Sequence, residues 1–172
     1  MRVRIAGPSD RPEVERIARA SFDRVYAFFA VRGVRRARPF LIAEEEGEGP
    51  LGFLEGRVFR GIPPVGYVYF VAVRPTHRQR GVARALIDRA LEGFREGGVR
   101  DVFAAVPRDN EASLELFKTF GFREMPRRIL RQRYRWRGLA IEMQMVIAPH
   151  EVLLARTFAH PSPASPDVPR GP

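Results

Sequence analysis

A glycine stands inside a basic run just where an apolar helical pattern begins, in His77-Arg-Gln-Arg-Gly-Val-Ala-Arg-Ala-Leu-Ile87. Glycine costs about 1 kcal/mol relative to alanine inside a helix, so its placement asks for a reason. The first N–H groups of a helix have no internal partner, and the helix dipole favours negative charge beside them. With no Cβ at Gly81, a phosphate can approach the backbone closely. Arg78 and Arg80 would add charge-assisted hydrogen bonds to the same anion. The chemistry on offer is the binding of a phosphorylated ligand. Alone, a stretch this short reads better as a solvated helix start with an incidental glycine.

Two further stretches bear on that choice. Asn110-Glu-Ala-Ser-Leu-Glu-Leu-Phe-Lys-Thr-Phe-Gly-Phe122 opens a helix with a polar cap and closes it with Gly-Phe; by itself Asn110 is a cap. Arg127-Arg-Ile-Leu-Arg-Gln-Arg-Tyr-Arg-Trp-Arg137 alternates arginines with other residues. As a strand it would put Arg131, Arg133, Arg135 and Arg137 on one face. That ladder reads first as a solvated face or a guarded sheet edge. Recognition of an acidic acceptor comes second, and nucleic acid, through stacking aromatics, third.

The elements that must position these residues follow from periodicity. Arg2–Ile5 alternates as a short strand, and Ser9 or Asp10 can cap a helix bearing Val14, Ile17 and Ala18 on one face. An aromatic-rich helix is expected over 22–31, a strand at Phe40–Ala43, and a returning hairpin strand at Leu51–Phe59. Tyr67–Val73 is apolar on both faces, so it should be a central strand. Val82, Leu86, Ala90 and Phe94 recur at helical spacing until Gly97-Gly98 stop them. Val102–Val106 reads as a strand. Two more strands are expected, over 122–136 with an interruption at Met125-Pro126, and over 139–147. His150–Phe158 reads as one more short helix, and the proline-rich end from Pro161 as a flexible tail. This order makes one α/β (α+β) domain with a mixed sheet, over 1–148, and an extension over 149–172.

Composition narrows the partners more than the fold. The chain has 172 residues, no cysteine, and histidines only at His77, His150 and His160, so a metal centre is not expected. No run approaches a membrane span and no signal-peptide pattern opens the chain, so a cytoplasmic protein with no membrane partner is the expectation. The net charge of +10 is almost all arginine, since Lys118 is the only lysine. Such an excess suits nucleic acid, an acidic protein or a small polyanion such as a nucleotide cofactor.

Taken in order, the buried strand, the glycine turn, the helix, the next strand and the Asn-capped helix ending in Gly-Phe resemble the GNAT superfamily, the Gcn5-related N-acetyltransferases. Val71-Ala-Val-Arg-Pro75 looks like that family's fourth strand and its exit. Arg78-Gln-Arg-Gly-Val-Ala83 is similar to its pyrophosphate loop, and Asn110, Ser113, Phe117 and Gly121-Phe122 to its later motif. Arg4–Asp10 resembles its first strand and turn. The resemblance implies a mostly antiparallel sheet of about seven strands flanked by about four helices and splayed between the fourth and fifth strands. It implies acetyl-CoA in that splay, held by backbone groups of Val71 and Val73, by the loop of Arg78, Gln79, Arg80, Gly81, Val82 and Ala83, and by Asn110 and Phe117. The implied reaction transfers acetyl from acetyl-CoA to a primary amine.

Two positions depart from the family pattern. The tyrosine that often protonates the leaving thiolate is Phe117, and the glutamate found in branches acting on protein N-termini is Ala105. The replacements are sought at Glu55 and Tyr69, ahead of Tyr67 and Tyr134. Two functional readings follow: an acyl-CoA-dependent N-acyltransferase with an unidentified amine acceptor, or a GNAT-like binding module for RNA or an acidic partner with weakened catalysis. A homodimer is left open.

Overall fold

Arg2–Ile5 forms strand β1 and leads into a turn that Asp10 ties together. The Asp10 carboxylate accepts from Arg4 Nη1 and Nη2, both at 2.7 Å, and from the Gly7 amide at 2.7 Å. Asp10 therefore holds the entry turn and makes no side-chain cap to helix α1, Arg11–Ser21. Helix α2 follows over Arg24–Gly33, then the hairpin of β2, Phe40–Glu45, and β3, Gly49–Phe59. Strand β4 spans Val65–Val73, helix α3 Val82–Glu96, strand β5 Asp101–Pro107 and helix α4 Glu111–Thr119. The chain ends with β6, Arg123–Glu124, helices α5, Arg128–Tyr134, and α6, Trp136–Met145, and strand β7, Glu151–Thr157. This computed structural model describes residues 1–33, 37–61 and 63–159. His160 and the proline-rich end from Pro161 lie outside the described residues.

The seven strands order as β1-β2-β3-β4-β5-β7-β6, with β4–β5 the parallel pair and every other neighbour antiparallel. Each sheet face buries its own helices. On one face Leu86, Ile87, Ala90 and Phe94 of α3 pack on Leu54, Val68, Val102 and Ala104. On the other, Val14, Ile17 and Ala18 of α1 pack on Phe40, Ile42, Phe53 and Ala72. Farther along that face, Leu130, Ile141 and Met145 of α5 and α6 pack on Tyr67, Phe103 and Leu153. The apolar spacing of α1 and α3 is what the sequence pattern predicts.

The C-terminal third differs from the sequence expectation. Residues 128–145 are helical, so the described chain has six α-helices where four were expected, and the extended reading of 122–136 and 139–147 survives only at β6. Leu130 and Tyr134, then Ile141 and Met145, recur at i,i+4 and are, with Gly138, the buried residues of these two helices. The arginines that alternate in sequence are spread around α5 and α6 instead of forming a ladder. Conversely, Glu151–Thr157 is a strand and not a helix. It fills the slot between β5 and β6, where burial on two sides overrides the helical propensity of its Leu-Leu-Ala run. The sheet thus runs to Thr157, past the boundary expected at 148.

Candidate active site

The site begins with one extra residue in β4. Glu55 pairs with Phe70 while Gly56 pairs with Val68, so Tyr69 is unpaired against β3 and forms a β-bulge. A bulge bends its strand and increases the local twist. The parallel pairing of β4 with β5 stops at Val68 and Ala104, and beyond it the strands separate. The splay therefore starts where the bulge is.

Backbone alternation decides what faces the gap. The Arg74 amide donates to Leu51 O at 2.8 Å, which makes Arg74, Ala72 and Phe70 the residues bonded to β3. The amides and carbonyls of Val71 and Val73 then point the other way, into the gap. Ser21 Oγ donates to Val73 O at 3.1 Å, leaving the two amides as donors.

At the end of β4 the chain passes through a short turn at Pro75–His77 and reaches α3. Gln79 and Gly81 have φ of 61° and 79°, in the left-handed region. Arg78, Gln79, Arg80 and Gly81 are exposed. A Cβ on Gly81 would meet no atom within 4 Å, so the space above this glycine is open to a ligand. The first intrahelical bond here runs from the Ala85 amide to Gly81 O at 3.0 Å, so the amides of Val82, Ala83 and Arg84 have no helical partner. The Val82 side chain is buried in the core, and its amide is the part left for binding.

Asn110 and Phe117 are engaged within the protein. Asn110 Oδ1 accepts from the Ser113 amide at 3.1 Å and caps α4. The Phe117 ring is buried against Phe122, with centroids 5.0 Å apart and nearly perpendicular.

On the opposite sheet face a cavity of about 870 Å³ lies between α2, β3, β4 and the α6–β7 connection. Glu55 lies in its wall, 1% exposed, and its Oε1 has no hydrogen-bond partner. Burial alone pushes the carboxyl up to about 8. Tyr67 and Tyr69 line the same cavity with rings edge-to-face at 4.7 Å. The Tyr67 hydroxyl donates to Met145 O at 3.4 Å, and that of Tyr69 to Gln144 O. Burial raises the Tyr69 hydroxyl above its ordinary value, with Arg57 pulling the other way. Tyr134 is elsewhere. Its hydroxyl donates to the Asp101 carboxylate, which also takes Thr157 Oγ1 at 2.6 Å and Arg133 at 3.1 Å. It drops from the set of candidate acids.

The sequence pattern missed a second polar group in the cavity. The Tyr26 hydroxyl donates to Glu151 Oε1 at 2.8 Å and lies 3.0 Å from His150 Nε2, while Glu151 Oε2 accepts from the Ala148 amide at 2.7 Å. These residues are more than a hundred positions apart in sequence, so no local spacing could announce them. A carboxylate opening the apolar run of β7 was the one available sign.

Residues 9–122 match the acetyltransferase (GNAT) family. The chain belongs to this family. A diaminobutyric acid acetyltransferase of Chromohalobacter salexigens is 36% identical over 93 residues, 54% of this chain and 48% of that one. A mycothiol acetyltransferase of Nocardia farcinica is 31% identical over 134 residues, covering 68% of this chain and 43% of that protein. The chain thus spans less than half the length of these two curated relatives. The fold matches the PaiA N-acetyltransferase of Thermoplasma acidophilum, solved in complex with coenzyme A, with a TM-score of 0.68 at 13% identity, over 91% of this GNAT chain and 98% of that one.

Proposed function

We propose that this GNAT protein is an acetyl-CoA-dependent N-acetyltransferase acting on a primary amine. One observation carries the reading: the unpaired edge of β4 faces the splay on its way to the open α3 N-terminus, while the same strand walls a cavity containing an unpartnered carboxyl. The open space over Gly81 and the free amides of Val82 and Ala83 fit a pyrophosphate, with Arg78 and Arg80 as cationic neighbours and Gln79 in the same turn. The amides of Val71 and Val73 fit the pantetheine arm. Asn110, through its side-chain amide, and Phe117, through the packing that seats α4, would complete that side. Acetyl-CoA supplies an acyl group already activated as a thioester.

Within this reading, Glu55 takes a proton from the incoming ammonium. Its burial makes it a stronger base than an ordinary carboxylate, and the neutral acid it becomes is the form that burial favours. The amine nitrogen bonds to the acyl carbon as the carbon–sulfur bond breaks. A cleft-facing amide of β4 donates to the carbonyl oxygen as charge builds there. Tyr69, whose hydroxyl burial holds above its ordinary value, gives its proton to the departing sulfur in place of the hydroxyl that Phe117 lacks, and the second proton shed by the nitrogen as the amide forms restores the Tyr69 hydroxyl. The chain's own positions 1–158 are assigned to this domain.

No described helix is long and apolar enough to cross a membrane, and a cytoplasmic setting is part of the proposal. Arg131 pairs with Glu142 and Arg133 with Asp101, which argues against a nucleic-acid ladder. Calorimetry with CoA tests the cofactor side: Gly81→Glu should weaken binding at least about a hundred-fold by placing bulk and charge where the pyrophosphate sits. Absence of CoA binding by the unaltered protein at millimolar concentration would defeat the proposal.

A further inference from the structure

The large cavity holds more positive charge than its walls neutralise. Arg11, Arg32 and Arg57 all line it, and none of the three is ion-paired among the described residues. Arg57 is half-buried, stacked 5.3 Å over the Phe59 ring, and its Nη2 donates to the neutral amide oxygen of Gln144 at 3.1 Å. Among the described residues no anion meets this guanidinium at the cavity wall, and its fork matches carboxylate or phosphate. The acids of the cavity do not answer it. Both oxygens of Glu151 are taken, by Tyr26 and by the Ala148 amide. Glu55 is held largely neutral by burial and has an unpartnered oxygen.

The unpartnered carboxyl oxygen and the guanidinium without an ion pair sit on one strand. Glu55 and Arg57 are two residues apart on β3, so both point to the same face, roughly 6–7 Å apart along the strand. A single small molecule can meet both if its nitrogen and its anion are a few bonds apart. We infer that the acceptor is a primary amine carrying a carboxylate or phosphate, its nitrogen at Glu55 and its anion at Arg57, with Arg11 and Arg32 adding charge at the cavity wall. This inference rests on the transferase reading for its chemistry and on the cavity alone for its anion site.

The test uses the full chain with acetyl-CoA and matched amines: alanine against ethylamine, lysine against cadaverine, and O-phosphoethanolamine against ethanolamine. Thiol release should favour the anionic member of at least one pair by about ten-fold or more in kcat/KM, and the successful pair distinguishes carboxylate from phosphate. Arg57→Gln should bring that ratio to within about two-fold, and Arg57→Lys should keep part of it. Equal rates within every wild-type pair, or an unchanged ratio in Arg57→Gln, overturn the inference and leave the transferase reading intact. If no amine releases thiol, calorimetry of the same pairs decides: an anion preference lost in Arg57→Gln upholds the anion site while the transferase reading falls, and no preference overturns the inference.

Discussion

Glu55 couples the proposed chemistry to the stability of the protein. Its folded-state value of about 8 lies above the ordinary 4.5 because burial disfavours the charged form. Between those values the folded chain binds the proton that the unfolded chain has lost, so stability falls as pH rises through the window. The full shift corresponds to a limit of about 5 kcal/mol. Glu55→Gln, which cannot charge, should match the wild type near pH 4, below the unfolded value, and exceed it by several kcal/mol at pH 9, read by urea denaturation at the two pH values. Activity runs the other way. Wild-type kcat/KM should climb to a plateau above pH 8, while Glu55→Gln should lose roughly 10²–10⁴-fold and the limb with it. A wild-type profile flat from pH 6 to 9 would remove Glu55 as the base. Gly81 could be picked out from sequence because a left-handed, phosphate-type turn leaves a local mark. Glu55 could be named only as a candidate, since what singles it out is burial by residues far along the chain.

At the scale of elements, legibility followed whether the signal was local. Helix α3 was clear because Val82, Leu86, Ala90 and Phe94 must face one sheet surface. The bulge at Tyr69 left no trace: in Tyr67–Val73 both faces are apolar, so a one-residue shift exchanges one apolar side chain for another. The α5–α6 pair was misread because alternating arginines imitate a strand, while the i,i+4 pairs Leu130–Tyr134 and Ile141–Met145 were outnumbered by charge. Strand β7 was misread because its slot is made by β5 and β6, not by its own sequence. The helical hairpin makes a sharp prediction. Gly138 lies so close to α5 that a Cβ would stand 2.2 Å from Leu130 O. Gly138→Ala must push the helices apart despite alanine's better helix propensity, costing roughly 1–3 kcal/mol or more. Thermal unfolding should show a lower Tm. An unchanged or raised Tm would contradict the close packing of α5 on α6.

Across the whole molecule, 30 basic against 20 acidic side chains give the net charge of +10. A field of that sign draws in an anionic cofactor before any contact forms. It acts over a Debye length of about 10 Å at 0.1 M salt and about 3 Å at 1 M, so it governs the encounter more than the finished complex. The short-range amides over Gly81 and along Val71 and Val73 are shielded from salt by the ligand they would bind. The association rate constant of CoA should therefore fall by about ten-fold or more between low salt and 0.5 M, with the dissociation rate changed much less. Pantetheine, which lacks the phosphates, should associate at a rate nearly independent of salt. Stopped-flow binding across a salt series separates the two contributions. If CoA association is as flat as that of pantetheine, the basic excess has no part in cofactor capture, and its purpose must be sought at the arginines lining the acceptor cavity.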